Sequence, residues 1–256
     1  MDRIKRLFDS KKNEKILSVY FTAGFPQKDS TVDVIKALSD GGVDMIEIGI
    51  PFSDPMADGP VIQQSSQKAL DNGMTQNLLF EQLKDIRKVT DIPLILMGYI
   101  NTAMQFGFEN LCKKAVEVGV DGFIIPDIPL EEYISQYKPI VEKYGLKFIL
   151  LITPETPEER IRKIDSVSSG FVYMVSSAST TGAQNSFSED KQHYFRKIAD
   201  MDLKNPTLVG FGVSNKATFD AACEHSRGAI IGSAFIRALE EQPTVQEAVK
   251  SLISKL

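Results

Sequence analysis

Cysteine and histidine are scarce in this chain, at two each in 256 residues. Cys112 and Cys223 stand far apart in helical-looking segments, without a C-x-x-C pair or a nearby histidine pair. That pattern excludes a zinc ribbon and a dithiol redox motif, and both read as reduced thiols. His193 and His225 lack metal-ligand spacing and read as surface residues, so no metal is expected. Long apolar runs are missing too. No stretch reaches the roughly 20 residues of a membrane-spanning helix. The start, MDRIKRLFDSKKNEK, has no secretory apolar core, so the expectation is a cytoplasmic protein that does not meet a membrane. Nor is there a basic surplus: 29 Lys and Arg face 34 Asp and Glu, a formal charge of −5, which disfavours nonspecific binding to nucleic acid. No linker, low-complexity tract or abrupt change of charge divides the chain, and residues 1–256 are expected to form one domain.

What is present is a regular alternation. Hydrophobic residues make up 43% of the chain, enough for a sizeable core. Eight short β-rich runs occur at 16–22, 43–50, 92–99, 120–126, 146–152, 170–176, 206–212 and 228–232, with helical patterns between them. Val32, Ile35 and Leu38 recur at helical spacing, as do Leu79, Leu83 and Ile86, and Leu111, Ala115 and Val118. Gly41-Gly42, Gly119 and Gly145 each end a helical pattern, where αβ turns need positive φ. Apolar strands separated by helices imply parallel pairing with both sheet faces covered. Eight such units in this length match a (β/α)8 TIM barrel, preceded by a short extra helix near Arg3 to Phe8. The rival, an open doubly wound sheet, lacks its G-x-G-x-x-G fingerprint after the first strand. Successive strand starts lie about 22 to 28 residues apart, except for steps near 50 after the second strand and near 36 after the sixth. Loops that follow barrel strands form the active-site rim, so both additions are candidates for site architecture and a lid.

The second strand carries a charge where none is expected, in MIEIGIPFSDPMADGP (45–60). Alternation puts Met45, Glu47 and Gly49 on one face and Ile46, Ile48 and Ile50 on the other. With the isoleucines toward the helices, Glu47 points into the barrel, where its pKa should rise unless a cation answers it, and no Lys or Arg lies on that strand. General acid and base work requires a glutamate of that kind, although a structural Glu bonded across the barrel would leave the same pattern. Asp58 precedes Gly59 and Pro60, and reads either as a second working acid or as a helix N-cap; Asp54, in S-D-P, reads equally as a turn former.

Strands seven and eight end in VGFGVSN (209–215) and IIGSAF (230–235), where glycine frees backbone N–H groups and Ser or Asn opens the next helix. That geometry suits a phosphate at a helix N-terminus, and SSASTTGAQ (176–184) could close over the same anion. No Walker sequence is present, which points to a phosphorylated small molecule rather than ATP hydrolysis.

Together these strings resemble one family, the tryptophan synthase alpha chains. EIGIPFSDPMADGP (47–60) is similar to its most specific signature, and FTAGFP (21–26), PDIP (126–129), FVYMVS (171–176), TG (181–182), GFGVS (210–214) and GSA (232–234) extend the likeness over nearly the whole chain. The resemblance implies retro-aldol cleavage of indole-3-glycerol phosphate to indole and glyceraldehyde 3-phosphate, without a metal or cofactor in this chain. It implies Glu47 as proton carrier, Asp58 as acceptor from the indole N–H, and Tyr173 inward beside Glu47. Phosphate would be held at Gly182, Gly210, Phe211, Gly212, Gly232 and Ser233, and indole walled by Tyr20, Thr22, Met97, Tyr99 and Ile125. Pro51, Phe52, Ser53, Asp54 and Pro55 would meet a beta chain carrying pyridoxal phosphate, in a complex of two alpha and two beta chains. One departure stands out: many members carry an arginine and a Gly-Val pair in the sixth loop where this chain has Ser177, Ser179 and Thr180. Two rivals therefore stay open, a barrel acting mainly as activator of the beta chain and a free-standing lyase; a different phosphosugar isomerase would leave the Asp58 loop without a purpose.

Overall fold

The computed structural model describes residues 2–176 and 187–256. Eight parallel strands close in chain order: β1 (Ile16–Thr22), β2 (Met45–Gly49), β3 (Leu94–Met97), β4 (Gly122–Ile124), β5 (Lys147–Ile152), β6 (Val172–Val175), β7 (Thr207–Gly210) and β8 (Gly228–Ile231), with β8 returning to β1. This is the expected barrel. Seven of the strands are shorter than the apolar runs in the sequence, because the flanking Gly, Pro and polar residues pass into loops once the ladder bonds end.

Helix α1 (Arg3–Ser10) buries Ile4 and Phe8, and its N-terminus is capped by Asp2, which accepts from the Lys5 amide. The crossover from β1 is α2 (Thr31–Asp40), packed through Val34, Ile35 and Leu38. The long step after β2 holds an irregular loop and then two helices, α3 (Pro60–Asp71) and α4 (Gln76–Leu83); that after β3 holds α5 (Ile100–Phe106) and α6 (Phe108–Val118). After β4 come α7 (Leu130–Glu132), a π turn at Tyr133–Tyr137 and α8 (Lys138–Lys143); after β5, α9 (Glu158–Val167); after β6, α10 (Glu189–Asp200); and after β7, α11 (Lys216–Cys223). β8 leads to α12 (Ser233–Glu241) and α13 (Val245–Ile253). Gly42, Gly119 and Gly145 have positive φ as expected, whereas Gly41 does not (φ −77°). Gly41 is small for another reason: a Cβ there would lie 2.6 Å from Val249 Cγ1 of α13.

The floor of the barrel is ionic. The Asp121 side chain, 6% exposed, takes Arg87 and Arg3 at 2.6 and 3.1 Å and the Leu94 amide at 2.9 Å, which leaves none of these charges free for chemistry. Cys112 is buried and Cys223 half-buried, both unpaired, and burial pushes each thiol up to about 12, far from a reactive thiolate. Among the described residues no helix is long and apolar enough to cross a membrane, and no group of His, Cys, Asp and Glu could hold a metal ion.

Candidate active site

Register sets the site. Tyr20 of β1 lies opposite Glu47 of β2, and Thr22 opposite Gly49, so Tyr20 and Glu47 stand side by side near the C-terminal end of the barrel, where barrel active sites lie. Glu47 is completely buried. Its Oε1 accepts from the Ser18 hydroxyl at 3.3 Å, its Oε2 has no partner among the described residues, and burial pushes its pKa from 4.5 up to about 8, with the Ser18 bond pulling weakly the other way. The expected rise is present because desolvation wins where no cation faces the carboxylate.

Asp58 is not a helix cap. Gly59 occupies that position with Pro60 following, and the Asp58 carboxylate instead accepts from the Tyr99 hydroxyl at 2.8 Å. Tyr99 is fixed in turn by the Ala57 amide, which donates to its hydroxyl at 3.1 Å, and by the Phe52 ring at 5.3 Å. Gln63 donates to the Asp58 carbonyl at 2.8 Å, closing the loop from the helix side. Asp58 Oδ1 is buried without a partner among the described residues, and burial raises its carboxyl above the usual range. Two carboxylates thus each keep one oxygen unspent, an expensive arrangement unless a ligand completes it.

Glu47, Asp58 and Tyr173 line one cavity of about 380 Å³, together with Tyr20, Met97, Phe211, Gly212, Gly232 and Ser233. At the far end, Phe211 and Gly212 both have positive φ, 69° and 78°. That is a strained conformation for phenylalanine, held by the Ser176 hydroxyl, which donates to the Phe211 carbonyl at 2.6 Å. On α12 the first internal bonds run from the Phe235 and Ile236 amides to the Gly232 carbonyl. The N–H groups of Ser233 and Ala234 precede them at the start of the helix, a position that suits an anion.

Four expected residues sit elsewhere. Thr22 stands behind Tyr20, 3.5 Å from its hydroxyl, and continues to Ser65 at 2.6 Å and thence to the Ile62 carbonyl at 2.8 Å. Tyr99 is behind Asp58 rather than in the wall. Ile125 lines a second cavity of about 450 Å³, which Phe211 also lines. Gly210 lies under the Tyr173 hydroxyl, which occupies the space a Cβ would need, and Gly49 is related to Tyr20 in the same way. Gly182, with Ser177, Ser179 and Thr180, falls outside the described residues. Sequence reasoning missed Ser18, Ser65 and Arg237, the last a lining residue of the first cavity, and it expected the Ser176 hydroxyl on the anion where it instead holds the Phe211 carbonyl. A small polar residue two positions before Tyr20 on the inward face was the available signal for Ser18.

Because the Tyr20 hydroxyl fills the absent side chain of Gly49, Gly49→Ala should push the ring into the cavity and reduce kcat/KM by about 10²-fold. An unchanged far-UV spectrum beside that loss would localise the damage; an unchanged kcat/KM would show that Tyr20 yields freely.

The tryptophan synthase alpha chain family model matches residues 8–255. The Bacteroides thetaiotaomicron tryptophan synthase alpha chain is 60% identical over 252 residues, 98% of each chain, and that of Parabacteroides distasonis 59% over 256 residues, 100% of this chain and 99% of its own. Among solved structures, tryptophan synthase subunit alpha from Legionella pneumophila superposes with a TM-score of 0.89 at 33% identity, covering 100% of this chain and 97% of that one. The chain belongs to the tryptophan synthase alpha chain family. It is accordingly a carbon–carbon lyase of tryptophan biosynthesis, cleaving indole-3-glycerol phosphate to indole and glyceraldehyde 3-phosphate. Alpha chains have no cofactor of their own, pyridoxal phosphate belonging to the beta chain.

Proposed function

We propose that the whole chain, residues 1–256, is one barrel domain in which Glu47 and Asp58 perform the cleavage. The observation that carries this reading is the pair of buried carboxylates in one cavity, each with an oxygen lacking a partner among the described residues. With a pKa near 8, Glu47 holds a proton at neutral pH and can deliver it to indole C3. The ring nitrogen becomes positive, and Asp58 stabilises it by accepting from its N–H. The Glu47 carboxylate then takes the proton of the glycerol hydroxyl next to the ring, the carbon–carbon bond breaks with its electrons passing into the ring, and the aldehyde forms. One proton has moved from hydroxyl to carbon, and none is gained or lost. Tyr173, buried at the same level, positions the glycerol hydroxyls, and Tyr20 and Met97 pack against the indole ring. Phe211, Gly212, Gly232 and Ser233 hold the phosphate.

Alpha chains of this family work with a beta chain in a complex of two alpha and two beta chains. The loop after β2 suits that contact: Pro51 and Pro55 are buried anchors, Ser53 and Asp54 face solvent, and Met56 is 86% exposed, an apolar group awaiting cover. A cytoplasmic location fits a biosynthetic lyase of this kind. Indole release from indole-3-glycerol phosphate should be measurable with the chain alone and should rise when the beta chain is added. No turnover in either condition would favour the purely activating role; full activity alone, with no complex on gel filtration, would favour a free-standing lyase.

A further inference from the structure

The cavity that receives a phosphate ester is short of positive charge. It contains two carboxyl groups, and Arg237 is the only Lys or Arg among its described lining residues. Arg237 lies one helical turn beyond Ser233 on α12, and Ser233, Ala234 and Arg237 all line this cavity. Four other arginines are committed elsewhere, Arg3 and Arg87 to Asp121, Arg6 to Asp91 and Arg162 to Glu158, and Arg160 lines the other cavity. The nearest acid further along α12, Glu240, is taken by Lys68 at 3.6 Å. Arg237 itself makes no ion pair among the described residues.

A phosphate monoester brings close to two negative charges at neutral pH. The start of α12 answers with about half a unit of positive charge, and the neighbouring carboxylates offer nothing. A guanidinium fits the deficit, because its planar fork can bind phosphate oxygens in pairs and it stays charged at every relevant pH. We propose that Arg237 is the cation of the phosphate subsite, holding the substrate's phosphate through an ionic contact added to the backbone cradle. It thereby makes the site specific for phosphorylated over neutral indolyl glycerol compounds. The proposal rests on the phosphate assignment made above, and it concerns binding: Arg237 is remote in role from proton transfer.

The full chain carrying Arg237→Gln and, separately, Arg237→Lys should be compared with wild type. Arg237→Gln should raise KM for indole-3-glycerol phosphate and weaken inhibition by inorganic phosphate about tenfold, with kcat changed less than about twofold. Arg237→Lys should recover part of both losses, since it restores charge without the fork. Arg237 is only partly buried and so is screened by salt, and the wild-type KM should climb with added KCl while that of Arg237→Gln stays nearly flat. Inhibition by indole, which has no phosphate, should be the same in all three proteins. Unaltered KM and phosphate inhibition in Arg237→Gln would overturn the proposal, as would an equal weakening toward indole, which marks a structural role. A wild type that cleaves its substrate but is insensitive to inorganic phosphate would overturn the phosphate assignment itself and the proposal with it.

Discussion

Glu47→Gln should slow indole release by about 10²- to 10⁴-fold, the range that a positioned general acid and base contributes. Glutamine keeps the length of the side chain and can keep the Ser18 contact, so the loss isolates the proton. KM should hold within a few-fold, because the phosphate end is untouched. Near wild-type release would remove Glu47 from the chemistry. Stability gives a second and independent readout. The folded chain holds a proton on Glu47 up to about pH 8, whereas an unfolded one releases it near 4.5. The contribution is therefore fully present below pH 4.5 and is lost as pH climbs through 8. At roughly 1.4 kcal/mol per unit, burying this carboxylate costs several kcal/mol in alkaline solution. Glutamine does not titrate, so the variant should gain on wild type from pH 5 to pH 9, and thermal melts at those two values read the difference. A gap that does not widen would mean that the ionised carboxylate finds a partner.

Asp58→Asn is expected to cost at least about 10²-fold in kcat with KM largely retained. The positive charge on the indole nitrogen develops only on the way to the transition state, and an interaction made only there appears in kcat. Asparagine can still accept from the Tyr99 hydroxyl, so the loop should keep its shape. Unchanged turnover would take Asp58 out of the mechanism, and a loss confined to KM would make it a ground-state binder. Tyr99→Phe should act more mildly and through pH. The Tyr99 bond favours the charged form of Asp58 against burial, so removing it should move the acidic limb of the rate profile to higher pH.

The barrel was legible because strand and helix periods differ and the eight repeats are regular. Strand ends were not, since Gly210 and Gly232 look apolar enough to extend a strand but follow the last ladder bond or close it. Period two was enough to turn Glu47 inward, and the absence of a nearby Lys or Arg foretold its raised pKa. The two readings of Asp58 could not be separated from local sequence, since the partner that decides between them, Tyr99, is 41 positions away. The same limit explains Arg237. On a helical pattern it looks like one more solvated charge, and only closure of β8 against β1 brings α12 to the cavity. Gly210 was read for its backbone when its lack of a side chain is what the site uses.

Gly49 and Gly210 each leave a hole that a tyrosine from the neighbouring strand fills. Such lock-and-key pairs make the tolerance to change one-sided. A tyrosine can shrink to phenylalanine and leave only a small void, but either glycine can change only by growing, and the first added carbon already collides. The walls of the substrate chamber are thus specified by two missing methyl groups, and a lineage that altered the tyrosines first would be free to alter the glycines afterwards, while the reverse order would pass through a blocked site.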